Sequence, residues 1–216
     1  MKKIMFNDKY GLTQAVLDGR KTMTRRMIRH RDSYEGREFG YYHYTPGTMA
    51  MSPNNNGQHF FVELLDADER PYDTERYASS EFAVAEEVAI AQSYKTLEKE
   101  IDRLGLPLNL KPEIYKMAGY KNKMFVKGDD MPHHIKITSI RVENLQDITN
   151  EDCLKEGIEE HLEGVQYGFP SNIGYCGQYP FGTPREAFAA LIDKVSGKGT
   201  WESNPLVWVY EFELID

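Results

Sequence analysis

The 216-residue sequence has only two cysteines, Cys153 and Cys176, and they form neither a CxxC pair nor a spacing typical of metal ligands. Two cysteines placed in this way predict free thiols in a reducing compartment rather than a disulfide framework. The one adjacent histidine pair, His133-His134, precedes a strand-like stretch, where a surface or capping role is the usual one. We therefore expect no metal site.

Long apolar runs are also missing. No stretch approaches the roughly 18–20 apolar residues that a membrane-spanning helix needs. The N-terminal segment MKKIMFNDKYG becomes polar at Asn7, before the apolar core of a signal peptide could form. A phosphate-cradling glycine loop, a zinc signature and a Ser-His-Asp pattern are absent as well. These absences predict a cytoplasmic chain with no membrane association and no cofactor.

Positive charge is concentrated in one place, although the formal net charge of the sequence is −8. Six Lys or Arg residues and no acidic residue lie between Arg20 and Arg31. General binding to nucleic acid requires a broad cationic face, so a local cluster in an acidic chain favours a site for one anionic ligand. The same cluster is also typical of a strand edge that basic residues protect against aggregation, and charge alone leaves both readings open.

Helix and strand signals alternate along the chain. Leu12, Ala15 and Val16 at helical spacing predict a short helix that ends at Gly19, and the polar, Thr-rich residues 22–28 predict a strand after it. The further expected elements are a buried strand at 84–94, an amphipathic helix from Leu97 to Leu104, a long strand at 134–145, helices beginning after Thr149 and Thr183, and a terminal strand at 206–214.

The longest of these predicted strands has two hydrophobic phases. Ile135 and Ile137 alternate with polar residues, whereas Ile140 and Val142 alternate one residue out of step. A slip of this kind predicts a bulge or sharp bend near Thr138-Ser139, which is how strands curl in small barrels.

The order of the elements predicts one α+β domain over residues 1–216, built as a small mixed β-barrel with flanking helices. Turn-rich or weakly periodic stretches at about 32–81, 96–130 and 158–182 predict long insertions on that core.

The segment LDGRKTMTRR resembles the opening signature of ASCH (activating signal cointegrator homology) domains, in which a helix ends in Gly-x-Lys-Thr-x-Thr-x-Arg. Three later segments, AVAEEVAIAQSY, HIKITSIRVENLQDITNEDCLKEGI and TPREAFAALIDKVSGKGTWESNPLVWVYEFELI, are similar to family segments in the same order, the last as in the larger bacterial and phage-associated members. The resemblance implies a PUA-like barrel around a cleft. The positions that match the opening signature are Gly19, Lys21, Thr22, Thr24 and Arg26.

The resemblance also implies a function, which is the binding of RNA or of a nucleoside or nucleotide ligand in a cationic cleft. Some compact members are amidohydrolases of N4-acetylcytidine and related acylated pyrimidine nucleosides. Their lysine, second threonine and helix glutamate correspond by position to Lys21, Thr24 and Glu156, with Glu151 as the substitute for the glutamate. Hydrolysis is therefore an alternative to binding alone, and a third hypothesis is a phage-related factor whose basic cluster contacts an acidic protein partner. The ligand-binding residues expected in the same cleft are Thr22, Arg25, Arg26 and Gln92.

Two positions depart from the family pattern. The usual Gly-Asp before the second conserved strand is Ala85-Glu86 in this sequence. Larger members often have Arg-Glu-Thr-Trp where this sequence has Ala91-Gln92-Ser93-Tyr94. Gln92 thus places a neutral amide where relatives have a carboxylate, and the ionic or acid–base role of that carboxylate does not carry over.

Catalysis would place demands on the geometry around Lys21. Thr24 would need a base to remove its proton, and Lys21 can act as that base only as the neutral amine. Its pKa would have to lie well below the ordinary value of about 10.4, as burial beside Arg25 or Arg26 would cause. Residues three apart on a regular strand lie on opposite faces, so the mechanism predicts that Lys21 lies in the turn before the strand. The structural alternative is that these are strand threonines, a helix-capping lysine and a surface glutamate.

Overall fold

The computed structural model describes residues 1–28, 77–104, 114–170 and 179–215, together with short strands in the segment between the first two ranges. Most of the insertion predicted at about 32–81 therefore lies outside the described residues. The strands are β1 (Lys3–Ile4), β2 (Met23–Met27), β3 (Ser33–Tyr34), β4 (Arg37–Glu38), β5 (Phe61–Glu63), β6 (Tyr77–Ser79), β7 (Glu87–Ile90), β8 (His134–Asn144), β9 (Glu159–His161), β10 (Gln166–Gly168) and β11 (Leu206–Leu214). The α-helices are α1 (Leu12–Leu17), α2 (Tyr94–Leu104), α3 (Asn150–Lys155), α4 (Pro184–Ser196) and α5 (Thr200–Ser203).

A five-stranded mixed sheet in the order β1-β7-β8-β11-β2 forms the centre of the fold. β1 pairs with β7 in parallel, and the other pairs are antiparallel. The chain is therefore mixed α and β, as predicted, with β1 and β2 as the two edges of the sheet. Backbone pairing does not close this sheet into a barrel within the described residues. No helix in the same part of the chain is both long enough and apolar enough to cross a membrane.

A hydrogen bond and a cation–π contact connect residues next to the two edges of the sheet. Met5 and Phe6 directly follow β1, and Arg26 on β2 donates a hydrogen bond from Nη2 to the Met5 carbonyl at 2.8 Å. The Lys21 Nζ atom lies 5.8 Å from the centre of the Phe6 ring, within the range of a cation–π contact. The sheet is thus curled enough to place the residues after β1 beside the start of β2.

A bulge in β8 accompanies this curl. Along β11, Glu211 is opposite Ser139, but the next residue, Phe212, is opposite Ile137. Thr138 is therefore the extra residue, and the predicted bulge near Thr138-Ser139 is confirmed.

The bulge keeps the hydrophobic side of β8 continuous. The two isoleucines before it are buried, as are Ile140 and Val142 after it, whereas Thr138 is exposed. Because side chains alternate along a strand, Arg141 and Glu143 project from the opposite face.

Three helices begin or end where their capping signals predicted. α1 is followed by Gly19 in the left-handed conformation, with φ of 71°. The Thr149 hydroxyl oxygen accepts a hydrogen bond from the Asp152 backbone N–H at 3.1 Å and caps α3. Thr183 and Glu186 form the predicted capping box of α4. One face of α4 packs on the sheet in the main hydrophobic core, so this helix covers part of the sheet beside β2.

Two segments differ from their predictions. The expected strand 84–94 is shorter, and α2 begins at Tyr94, whose hydroxyl donates to Asp130 at 2.5 Å. The stretch 158–182, expected as a loop, contains the antiparallel pair β9 and β10, with Gly164 at φ of 84° in the turn. Polar and glycine residues dominate this hairpin, so it lacks the apolar alternation by which strands are identified.

Candidate functional site

Lys21 lies in the turn between α1 and β2, where the catalytic hypothesis requires it. Its side chain is 2% exposed. Nζ donates to the carbonyls of Met23 and Glu156, each at 2.7 Å, and to Glu156 Oε2 at 2.6 Å. These three acceptors match the three N–H bonds of an ammonium group.

Glu156 caps the C-terminal end of α3 and is also buried. Oε2 contacts Lys21, and Oε1 accepts a hydrogen bond from Arg25 Nη1 at 3.2 Å. The next residue, Gly157, has φ of 97°, and a Cβ atom at this position would lie 3.5 Å from Lys21 Cδ and 3.3 Å from Leu12 Cδ2. Gly157 thus supplies the positive φ with which the chain leaves α3, and Lys21 and Glu156 meet although 135 positions separate them.

Arg25, expected from the sequence as a ligand-binding residue, directs its guanidinium group at acidic residues of the chain itself. Nε and Nη2 both donate to Glu143 Oε1, at 2.8 and 2.5 Å, and Nη2 also donates to Asp152 Oδ2 at 3.0 Å. Nη1 donates to Glu156 and, at 3.2 Å, to the Met23 sulfur. These five contacts equal the five N–H donors of a guanidinium group, and the side chain is 0% exposed. Its donors are therefore engaged within the chain, and its role in ligand binding stays a prediction.

Arg141 extends these contacts into a charge network. It donates to Asp152 Oδ2 at 2.9 Å and to Glu143 Oε2 at 3.1 Å, and it also contacts Glu211. The exposed Lys155 lies 3.7 Å from Asp152 Oδ1. When Lys155 is counted with them, four cations lie beside four carboxylates, so positive and negative charges balance in this part of the site. The charge network consists of Lys21, Arg25, Arg141, Glu143, Asp152, Glu156 and Glu211.

The pKa values of the two buried cations shift in opposite directions. Burial lowers the pKa of Lys21 below its ordinary value, and Arg26 and Arg25 add to this effect while the attraction of Glu156 opposes it. For Arg25, burial alone would lower the pKa, but Glu156 and Glu143 outweigh it and the pKa is raised. The direction for Lys21 is the one that a lysine base requires.

A cavity of about 700 Å³ opens beside the Lys21–Glu156 pair. Its volume is typical of a site for a small molecule. Thr24 lines this cavity, and its hydroxyl has no hydrogen-bond partner among the described residues. Tyr210 lies opposite Thr24 on β11, and burial raises its pKa to about 12, so that the phenol remains protonated at neutral pH. Lys21, Thr24 and Glu156 therefore meet at one cavity.

The mouth of the cavity is more apolar. Met5, Met27 and Val195 line the cavity and are 38%, 43% and 40% exposed. Ile192 and Trp208 line the same region and are almost fully buried. Because β2 is an edge strand, side chains from both of its faces reach the cavity.

The other predicted site residues have different positions. Arg25 and Arg26 line the cavity, whereas Thr22 and Gln92 do not. The Thr22 backbone N–H donates to the Lys155 carbonyl at 3.0 Å, and its carbonyl accepts from Phe212 N–H. Gln92 is buried between β7 and α2, and its backbone N–H contacts the Met131 sulfur at 3.3 Å. The structure therefore brings Arg25 and Arg26, but not Thr22 or Gln92, to the cavity beside the pair.

Sequence reasoning missed four members of the charge network, namely Arg141, Glu143, Asp152 and Glu211. A signal was present for two of them, because Arg141 and Glu143 alternate with buried residues on β8 and thus form a polar face. The substitute candidate Glu151 is exposed on α3. The described residues contain no group of three His, Cys, Asp or Glu side chains arranged to hold a metal ion.

Comparisons with protein-family models, with curated proteins and with solved structures found no match to this chain. The function must therefore be argued from the site itself.

Proposed function

We propose that this chain is an ASCH-like domain that binds one nucleoside-sized ligand in the cavity beside Lys21, Thr24 and Glu156. The observation that carries the proposal is the buried pair of Lys21 and Glu156, joined at 2.6 Å, at the wall of a cavity of about 700 Å³. A titratable group beside a cleft whose pKa is shifted by burial and by a specific charge partner, as that of Lys21 is, is a candidate for a functional site.

The curl of the sheet supports a PUA-like arrangement within this proposal. A bulge bends β8, and Arg26 and Met5 join the two edges of the sheet by a side-chain contact. Bulges that bend a strand are typical of small barrels. In the proposed arrangement the cavity is the cleft of that curled sheet.

The balance of charge favours a nucleoside over an RNA strand. Binding along a phosphate backbone needs a continuous positively charged groove. In the charge network, however, the donors of Lys21 and Arg25 already bind acceptors within the chain. The Thr24 hydroxyl remains available to a ligand, and a neutral base or amide can use such a group. We therefore expect an uncharged pyrimidine nucleoside rather than RNA.

Amide hydrolysis of an N4-acylated pyrimidine nucleoside is a second candidate, and the grouping of Thr24, Lys21 and Glu156 favours it. Transfer of a proton from Lys21 Nζ to Glu156 Oε2, across their 2.6 Å hydrogen bond, would leave a neutral amine. That amine would take the proton of Thr24 as the hydroxyl oxygen attacks the acyl carbon. The C–N bond then breaks, the proton passes to the leaving amine, and water hydrolyses the threonine ester to release the acid.

Calorimetric titration with cytidine and N4-acetylcytidine tests the binding proposal, and chromatographic detection of cytidine released from N4-acetylcytidine tests hydrolysis. If Thr24 and Lys21 are catalytic, Thr24→Ala and Lys21→Met should each lower the rate of hydrolysis by about 100-fold or more. Thr22→Ala is the matched control, because Thr22 does not line the cavity and the change should leave both measurements unaltered.

The outcomes distinguish a binding module, a hydrolase and an RNA-binding protein. Binding without release of cytidine supports a binding module, and binding with release supports the hydrolase. Failure of both nucleosides to bind refutes the proposal. Retention of single-stranded RNA that disappears at moderate salt and in Arg26→Ala would instead support the RNA-binding hypothesis.

A further inference from the structure

We infer that Arg25 is a positioning residue, whose guanidinium group fixes the Glu156 carboxylate against Lys21 while Glu143 and Asp152 hold Arg25 in place. The inference rests on the proposed function, in which the ligand lies in the cavity beside Lys21 and Glu156. Arg25 acts through Glu156, because its own side chain is fully buried and its donors are engaged within the chain.

Each oxygen of the Glu156 carboxylate has its own cation. Lys21 Nζ is 2.6 Å from Oε2, and Arg25 Nη1 is 3.2 Å from Oε1. Rotation of the carboxylate would therefore break at least one of two charged hydrogen bonds. The guanidinium group is planar and presents its donors in a rigid fork, so it can fix an orientation that a single ammonium group leaves free.

Two further carboxylates fix the orientation of Arg25. Glu143 on β8 receives two of its donors, and Asp152 on α3 receives one. Arg141 in turn contacts both of these acids. The guanidinium group of Arg25 thus links three carboxylates from the sheet and α3, and it determines where the end of α3 presents Glu156.

The same contacts balance the charge near Lys21. Removal of Arg25 would leave Glu143 and Asp152 with one positive charge fewer, and the excess negative charge would hold the Lys21 proton more tightly. Removal of either acid would have the opposite effect. The titratable and charged groups that face the pair from the surrounding elements are Arg25 and Arg26 on β2, Arg141 and Glu143 on β8, Asp152 and Cys153 on α3, and Glu211 on β11.

Nuclear magnetic resonance titration of the Lys21 side chain tests the inference in the full chain, with the Lys21 signal identified by its loss in Lys21→Met. Arg25→Gln should raise the Lys21 titration midpoint by about one pH unit, and Arg25→Lys should lower it again because the charge is restored. Arg20→Gln is the matched control: Arg20 is 42% exposed and pairs with Asp18 and Glu159, so its loss should leave the midpoint in place.

A second pair of variants keeps the test valid if Arg25→Gln does not fold. Glu143→Gln and Asp152→Asn retain Arg25 and should each lower the Lys21 midpoint. An unchanged midpoint in the folded Arg25 variant, or a raised midpoint in the two acid variants, overturns the inference.

Hydrolysis kinetics add a second measurement if the chain releases cytidine. Arg25→Lys should then lower kcat and leave KM nearly unchanged, because a positioning residue does not contact the ligand. An equal fall in ligand affinity would show that Arg25 binds the ligand directly and would overturn the inference. The titration itself involves no nucleoside, so a shifted midpoint with no nucleoside binding would refute the proposed function alone.

Discussion

Within the Lys21–Glu156 pair, loss of Glu156 should destabilise the folded chain more than loss of Lys21. Glu156 contacts two cations, since Arg25 Nη1 lies 3.2 Å from its second oxygen. Lys21 has Glu156 as its one ion-pair partner among the described residues. Glu156→Gln would therefore leave a buried ammonium group without a counter-charge, whereas Lys21→Met leaves Glu156 paired with Arg25.

The expected free energies of unfolding differ accordingly. Removal of one partner from a buried ion pair costs about 3–5 kcal/mol when the remaining charge is uncompensated, and we expect this loss for Glu156→Gln. Lys21→Met leaves a carboxylate that has lost one hydrogen bond, which costs about 1–3 kcal/mol. The double variant removes the uncompensated charge, so it should be at least as stable as Glu156→Gln alone.

The destabilisation of Glu156→Gln should also depend on pH. Without the opposing attraction of Glu156, burial lowers the pKa of Lys21 further, and the folded chain releases a proton that the unfolded chain retains. Because the unfolded state then binds more protons, stability rises with pH. The rise should continue up to the ordinary lysine value of 10.5.

Urea unfolding monitored by circular dichroism at pH 7 and at pH 9.5 measures both effects. The variants should shift the midpoint and keep the slope of the wild-type transition. Three results would refute the reasoning: a loss in Lys21→Met as large as that in Glu156→Gln, a double variant less stable than Glu156→Gln, or a Glu156→Gln variant that becomes less stable at higher pH.

Three other changes address the surroundings of the pair. Gly157→Ala should lower the free energy of unfolding by about 1–3 kcal/mol, measured by urea titration, because φ of 97° strains a residue with a Cβ atom and that atom would lie 3.3 Å from Leu12 Cδ2. Cys153 should resist alkylation by iodoacetamide at pH 8, measured by peptide mass spectrometry, because burial raises its pKa to about 12. Val195→Asp should weaken cytidine binding about tenfold in calorimetry, because it places a charge at the apolar mouth of the cavity.

Each of these predictions has a clear contrary result. An alanine at position 157 that leaves stability unchanged would show that neither the positive φ nor the contact with Leu12 is restrictive. Rapid alkylation of Cys153 in the folded chain would contradict its burial. Val165→Asp is the control for Val195→Asp, since Val165 is 67% exposed in the β9–β10 turn and does not line the cavity; equal weakening by both changes would remove the mouth of the cavity from the binding site.

Elements with local signals could be predicted from the sequence. The capping box of Thr183 and Glu186 sets the start of α4, and the terminal strand has the predicted bounds, because both depend on residues close together in the chain. The bulge at Thr138 was also predictable, since a change of hydrophobic phase within one strand requires it.

The charge network could not be predicted in the same way. Arg25 and Glu143 are 118 positions apart. They meet because β2 and β8 both pair with β11, and no local sequence pattern specifies the register of those two pairings. Lys21 and Glu156 were paired in advance through the ASCH resemblance and not through any property of their neighbours. The ion pairs that Arg25 forms with Glu143, Asp152 and Glu156 were not predicted, because a basic residue in the sequence does not reveal its acidic partners.

The bulge at Thr138 affects the electrostatics of the site, although threonine itself carries no charge. Arg141 and Glu143 project away from the hydrophobic side of β8 only because one unmatched residue precedes them. If Thr138 instead paired with β11 in regular alternation, their direction would reverse, so that two charges would point into the apolar interior and Arg25 would lose its contact with Glu143. The bulge at this uncharged residue thus determines which side of the sheet carries the charged side chains beside the cavity.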